Sequence, residues 1–298
     1  MGLDRDDVEY ASGGEVCRAW YLRPTGTGPF PALVFCPGFT GTKYAAFYEP
    51  YMERLVELGV AVLAIDYRGW GDSDGERGLI RPWQQVEDIR AGLAYLRGRS
   101  DVDSARCGLL GMSFGGGNVV QAAALEQQLA CCVAISPVAD GEAWLRGMRR
   151  EYEWYELLDR LDEDRARRAA GGEATWVDPT EEIMVATPER RRTTVKGTVP
   201  AGKVPRSTPL WCADEIRAYR PYRAAGDVTP AGLLLFAVRE DSIVPPSHSR
   251  LIHEYAREPK RLVMLPGREH YGAYLGQFDA IWPEIRDWLR RHLDLPEG

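Results

Sequence analysis

Gly111-Met112-Ser113-Phe114-Gly115 is the stretch that decides how this chain folds. It follows a short apolar run, residues 107–110, and leads into a helix-forming segment, so Ser113 stands at a strand-to-helix turn. A serine held there sits on strained backbone with its hydroxyl pushed out of the sheet. The flanking glycines remove the Cβ atoms that would clash across the turn. Gly117 lets the following helix pack close to the strand.

Outward from this turn the chain alternates between buried strands and helices. Upstream, the apolar run 31–36 is long enough for a fully buried strand and ends in Pro37-Gly38-Phe39-Thr40-Gly41. Residues 44–58 then predict a helix, with Phe47, Tyr51, Leu55 and Leu58 at three- and four-residue steps and Gly59 as its stop. Residues 60–65 predict another buried strand, followed by the turn-rich loop 66–75. Pro82 opens a helix whose Val86, Ile89, Leu93 and Leu96 share one face. Downstream of Ser113 come a helix and a strand at 131–135. Such alternation predicts parallel strands joined by right-handed crossovers, with helices on both faces. In front of it, strands at 8–11 and 15–22 flank Ser12-Gly13-Gly14, the signature of an antiparallel hairpin.

Between 140 and 223 the composition shifts to arginine, glutamate and aromatic residues, with no buried-strand run. Residues 151–168 predict a polar helix with Tyr155, Leu158 and Leu161 on one face. Trp144, Trp154, Trp176 and Trp211 all lie in this segment, which predicts an inserted cap packed on the main domain. The strand and helix rhythm resumes at 232–238, 246–256, 261–265 and 275–292, where Pro283 is expected to kink or restart the last helix. The expected organisation is one mostly parallel α/β domain, residues 1–139 and 224–298, split by a cap at 140–223.

The bulk properties narrow the partners. With 298 residues, 45% of them hydrophobic, the chain can bury a full core. A net charge of -7 argues against a nucleic-acid partner, which needs a clustered positive field. The acidic start, Met1-Gly2-Leu3-Asp4-Arg5-Asp6-Asp7, lacks the basic and apolar regions of a signal peptide, and no apolar stretch approaches the roughly 18 residues of a membrane span. The expected location is therefore the cytoplasm, away from membranes. The six cysteines are expected to be buried reduced thiols. No Cys-x-x-Cys or His-Glu-x-x-His pattern points to zinc.

A serine hydroxyl is a weak nucleophile near neutral pH and needs a base within hydrogen-bond reach, oriented by a carboxylate. Loops at the carboxyl ends of parallel strands converge on one edge of the sheet, so base and carboxylate are sought there. His270 follows the strand 261–265, whereas His248, His253 and His292 are expected at the surface. Asp241 follows the strand 232–238, with Glu240 as the alternative. The tetrahedral intermediate of acyl transfer also needs oxyanion donors, and the Phe114 and Phe39 amides are the candidates. No cofactor is required by this machinery. Arg149, Arg150, Arg190, Arg191 and Arg192 either serve an anionic substrate group or form a solvated face paired with neighbouring acids.

These residues together resemble the α/β-hydrolase fold, and within it the serine esterases and peptidases related to dienelactone hydrolases, feruloyl esterases and the prolyl-peptidase group. The resemblance rests on Pro37-Gly38-Phe39-Thr40-Gly41, Asp66-Tyr67-Arg68-Gly69-Trp70-Gly71-Asp72-Ser73, Gly111-Met112-Ser113-Phe114-Gly115-Gly116, Asp241 with Val244-Pro245, and Gly267 with His270. It covers most of the chain outside the insertion. Pro37 stands where many relatives have a structural histidine, a departure that leaves the oxyanion assignment standing. The resemblance implies a cap at 140–223 and is specific for the machinery rather than the substrate. The assembled groups point to a carboxylic-ester hydrolase that forms an acyl-enzyme on Ser113 with His270 and Asp241, and the aromatic-rich cap to a bulky, partly apolar small-molecule substrate. Acyltransferase, peptidase, thioesterase or carbon–carbon bond hydrolase activity would use the same groups, and a non-catalytic binding protein on this scaffold is the reading from another class. Oligomeric state is not legible.

Overall fold

A computed structural model describes residues 5–193 and 199–296, so Met1 to Asp4 and the side chain of Arg192 lie outside the described residues. The chain opens with a hairpin of β1 (Arg5–Ser12) and β2 (Glu15–Leu22). Gly13 and Gly14 turn it with φ of 55° and 84°, the pair of positive values that a tight hairpin needs and that glycine adopts without a Cβ clash.

Four strands then alternate with helices: β3 (Phe30–Cys36), α1 (Glu49–Glu57), β4 (Ala61–Ile65), α2 (Pro82–Arg97), β5 (Val102–Met112), α3 (Phe114–Ala123) and β6 (Cys131–Ile135). The segment 140–223, expected to be an insertion, holds α4 (Gly141–Gly147), α5 (Glu151–Ala169), α6 (Pro188–Thr193) and α7 (Cys212–Ala218), with the two-residue strands β7 (Trp176–Val177) and β8 (Thr208–Pro209) paired only to each other. After it come β9 (Gly232–Val238), α8 (Ser247–Tyr255), β10 (Lys260–Leu265), α9 (Gly272–Leu275) and α10 (Phe278–His292).

The main sheet has eight strands in the order β1-β2-β4-β3-β5-β6-β9-β10. β2 joins β4 antiparallel, and every later neighbour is parallel. Strands buried on both faces have no polar side to show in sequence, which is why β4, β6 and β9 read as unbroken apolar runs. Leu33, Phe35, Leu110 and Phe236 point to one face, under Tyr51 and Leu55 of α1 and Ile281, Ile285 and Leu289 of α10. Val34, Leu63, Leu109 and Leu235 point to the other, under Ile89 and Leu93 of α2, Val119 and Val120 of α3, and Ile252 of α8. Each such fully buried side chain contributes roughly 1.5–3 kcal/mol. All six cysteines are free and buried, Cys212 included, although it alone lies outside the apolar runs.

Several elements depart from their expected outlines. The helix expected at 44–58 begins as a 3-10 turn, Ala46–Tyr48, and becomes α-helical only at Glu49. Pro50 fixes that boundary, because proline has no N–H to donate and fits only the first helical turn. In α5 Leu161 is buried as expected and Leu158 is half-buried against the core, but Tyr155 is exposed and Trp154, Leu157 and Asp164 complete the buried face. Trp154 has the larger apolar surface to hide, and 154, 157 and 161 keep the 3.6-residue period. Near the C-terminus the helical stretch breaks at Gly276 and Gln277, and Pro283 lies inside α10. Among the described residues, no helix is long and apolar enough to cross a membrane.

Candidate active site

Ser113 joins β5 to α3 with φ 54° and ψ -121°, a conformation that costs an L-residue on the order of 1–3 kcal/mol. The surroundings hold it in place. Its N–H donates to Ile135 O at 2.8 Å, and its carbonyl accepts from Gly116 N at 2.9 Å and Val138 N at 3.2 Å. The glycines are required by contact as well as by turn geometry. A Cβ on Gly111 would lie 2.3 Å from Gly115 O, and one on Gly115 would lie 2.2 Å from Pro37 O. The strand, the elbow and the loop after β3 are therefore packed backbone against backbone.

The structure brings His270 and Asp241 to Ser113 from the loops after β10 and β9. His270 Nε2 lies 3.0 Å from Ser113 Oγ, and His270 Nδ1 lies 2.7 Å from Asp241 Oδ2. Asp241 Oδ1 accepts from Ile243 N at 2.8 Å and Val244 N at 2.9 Å, so each carboxylate oxygen has its own task. A carboxylate on Nδ1 requires a proton there, which leaves Nε2 as an acceptor facing the serine. Glu240, the alternative carboxylate, is exposed and pairs with Arg268 at 2.9 Å.

The candidate oxyanion amides belong to residues that pack together. Phe114 is in the first turn of α3 and has no intrahelical acceptor for its N–H. Gly38 places the Phe39 loop against the elbow, since a Cβ on Gly38 would sit 3.1 Å from Met112 O and 3.2 Å from Ser113 Cβ. The Gly38 N–H itself donates to Tyr48 Oη at 2.9 Å. The Phe39, Phe114 and Trp144 rings form a mutual cluster with centroids 5.2–5.8 Å apart, so the insertion packs directly on both candidate donors' side chains. Beyond Gly41, buried Lys43 pairs with Asp66 and Asp72, and Lys203 of the insertion also pairs with Asp72.

Four contacts at the site were not anticipated from sequence. Tyr274 Oη lies 3.1 Å from His270 Nε2, on the same nitrogen that faces Ser113. Its spacing of four residues from His270 across a helical turn was the available signal. From α6, Glu189 accepts from Tyr271 N at 2.6 Å, and Arg190 donates to Tyr271 Oη at 2.6 Å and to Thr40 Oγ1 at 3.3 Å. Burial raises the Glu189 carboxyl above its ordinary pKa, opposed by the Tyr271 and His270 amides. These contacts span more than 80 residues of chain, and no local pattern announces them.

His248 corrects the expectation of a surface residue. It is buried, its Nδ1 accepts from Ala139 N at 3.2 Å, and burial lowers its pKa to about 4. The inner face of α8 also carries Ser249, whose hydroxyl donates to Phe236 O, so this face must point at the sheet. His253 and His292 are half-buried, and burial lowers both.

A cavity of about 390 Å³ opens over Ser113 and His270. Phe39, Phe47 and Tyr48 line it from the main domain, and Met184, Arg190 and Val204 from the insertion. Ser113, His270 and a ligand-sized, mostly apolar cavity thus share one place, with Tyr274 and the segment 140–223 bearing on His270.

Comparison with known proteins agrees with this architecture. The family model described as serine aminopeptidase, S33, matches residues 28–271. The quorum-quenching protein AidA of Acinetobacter baumannii is 28% identical over 96% of this chain and 94% of its own length. A thiohydrolase of Eupenicillium brefeldianum is 26% identical over 96% of this chain and 93% of its own. The crystal structure of the α/β-hydrolase GrgF from Penicillium sp. superposes with a TM-score of 0.82 at 25% identity, covering 98% of this chain and all of that one. In sequence GrgF carries the name polyketide transferase.

Proposed function

The chain belongs to the serine aminopeptidase S33 family of α/β-hydrolases, and from that premise we propose a serine hydrolase that cleaves a carboxylic ester of a bulky, partly apolar substrate. The observation that carries the reading is the line of contacts Ser113 Oγ, His270 Nε2, His270 Nδ1 and Asp241 Oδ2, at 3.0 and 2.7 Å, whose Ser113 and His270 line the cavity.

In this reading Ser113 Oγ attacks the ester carbonyl as His270 Nε2 takes its proton, while Asp241 steadies the imidazolium through Nδ1–H. The carbonyl π electrons move to oxygen, and the Phe39 and Phe114 amides hold that oxyanion. Collapse of the tetrahedral intermediate breaks the bond to the alcohol oxygen, which leaves with the proton from His270. A water then attacks the acyl-enzyme by the same route, and Ser113 recovers its proton. Base catalysis of this kind contributes about 10²–10⁴-fold, and each oxyanion donor about 10²–10³-fold.

The cavity supports a substrate larger than an acetate ester, since about 390 Å³ falls in the range of ligand-sized pockets and its walls are mostly apolar or aromatic. Residues 140–223 act as the cap, completing the cavity over the nucleophile. Acyl transfer is the second reading, favoured by relatives named as a transferase and a thiohydrolase and by the shared covalent step. The test is a series of p-nitrophenyl esters of increasing acyl length, with and without an alcohol or amine acceptor, with products identified. Rising kcat/KM with acyl length is expected. Turnover of acetate esters alone would refute the size assignment, and acylated acceptor in place of free acid would establish transfer.

A further inference from the structure

We propose that Tyr274 is a further catalytic residue, a relay that carries the proton from His270 to the departing alcohol, and that the site is thereby built for esters of aliphatic alcohols. This role rests on the hydrolase reading and names the leaving-group class for the same site.

Two hydroxyls meet one nitrogen. Ser113 Oγ lies 3.0 Å and Tyr274 Oη 3.1 Å from His270 Nε2, while Nδ1 faces Asp241 Oδ2 at 2.7 Å. With the ring proton on Nδ1, Nε2 holds a single lone pair, and Tyr274 donates to it. Among the described residues Tyr274 Oη makes no other hydrogen bond. Neighbouring buried tyrosines spend theirs on backbone, Tyr51 donating to Ala273 O and Tyr48 accepting from Gly38 N, both at 2.9 Å. The Tyr274 ring is held independently of its hydroxyl, stacked on Phe47 at 5.8 Å and edge-on to His270 at 5.3 Å between centroids. Burial, and after it the Asp241 carboxylate, push the phenol well above its ordinary pKa of 10.0, so it keeps its proton near neutral pH.

Proton traffic at Nε2 gives such a neighbour a task. Once Ser113 Oγ has given up its proton and joined the carbonyl carbon, Nε2–H faces two acceptors. Return to Ser113 Oγ only reverses the attack. Tyr274 Oη is the other, and a hydroxyl can accept and donate at once. The proton passes from Nε2 to Tyr274 Oη as the Tyr274 hydroxyl proton passes to the alcohol oxygen. The bond from carbonyl carbon to that oxygen breaks, its electrons go to the oxygen, and His270 and Tyr274 both end neutral. Tyr274 lines the cavity together with Ser113 and His270, so an ester over Ser113 lies beside it. An aliphatic alcohol cannot leave as its alkoxide and needs that proton, whereas a nitrophenol is acidic enough to leave as its anion.

The test compares the p-nitrophenyl and n-butyl esters of octanoic acid on native protein and Tyr274→Phe, which keeps the ring and removes the relay. The readout is the ratio of kcat/KM for butyl over p-nitrophenyl ester. That ratio is expected to fall about 100-fold in Tyr274→Phe, with p-nitrophenyl turnover within about threefold of native. An equal loss on both esters overturns the relay and makes Tyr274 a support for the His270 ring. An unchanged ratio overturns it too, as does native protein that cleaves the p-nitrophenyl ester but not the butyl ester. A Tyr274→Phe chain that does not fold contradicts it as well, because the hydroxyl would then serve the packing. Fluorophosphonate labelling of Ser113 is followed in parallel. Labelling in both proteins with an unchanged ester ratio refutes the relay alone, whereas a folded native protein that does not label refutes the hydrolase reading beneath it.

Discussion

Replacing Asp241 with asparagine separates orientation of the base from packing around it. Asp241 Oδ1 accepts from two buried amides, Ile243 N and Val244 N, and Oδ2 faces His270 Nδ1 at 2.7 Å. Asparagine has one acceptor oxygen and one NH₂ to distribute between these positions. Turning its NH₂ toward the two amides would leave both donors unmet, at about 1–3 kcal/mol each. Turning its oxygen to them sacrifices only the single contact to His270, so the NH₂ faces Nδ1. Nδ1 must then accept, the proton moves to Nε2, and the imidazole offers Ser113 a donor instead of a base. The same substitution in a serine protease lowers kcat by about 10⁴, or about 5.4 kcal/mol of barrier. A loss of that order in kcat for p-nitrophenyl esters is expected near neutral pH, with Tm nearly retained because both backbone amides keep their acceptor. A loss of less than about 10-fold would refute this account of how Asp241 acts.

Two further perturbations follow from the geometry. His248 is held neutral by burial, with a pKa of about 4 against an ordinary 6.5, so on acidification the unfolded chain takes up this proton first. Its contribution is complete above pH 6.5 and is lost as pH falls toward 4, a loss of about 3 kcal/mol at 1.36 kcal/mol per pH unit. His248→Gln should remove that much of the acid dependence of stability, read by urea unfolding between pH 4 and 7.5; an unchanged slope would contradict it. Gly38→Ala places a methyl 3.1 Å from Met112 O and 3.2 Å from Ser113 Cβ, forcing the Phe39 loop away by a few tenths of an ångström. A loss of about 10–100-fold in kcat is expected, up to that for removing one oxyanion donor, and full activity would dissociate Phe39 from the site.

The parts of this molecule legible in its sequence are those fixed by local chemistry. Glycine spacing announced the Ser113 elbow because only residues without a Cβ allow backbone contacts as close as those at Gly111 and Gly115. Unbroken apolar runs announced the strands, and their order placed Asp241 and His270 at one edge of the sheet. Tyr155 of α5 was misread as inward-facing because it and Trp154 are both aromatic, and only the surface they meet decides which turns inward. His248 was misplaced because exposure follows from what α8 packs against, which its own residues do not state. Glu189 and Arg190 reach the site through contacts between distant elements, which leave little mark on composition or spacing, whereas Tyr274 meets His270 four residues away and only that spacing announced it.

The central claim, an activated serine at position 113, is tested most directly by labelling with a fluorophosphonate probe, comparing native protein with Ser113→Ala and mapping the adduct by mass spectrometry. One adduct per chain on Ser113 of the native protein, absent from a folded Ser113→Ala variant, is the predicted result. A folded native protein that stays unlabelled, or an adduct that persists at another residue in the variant, would contradict it.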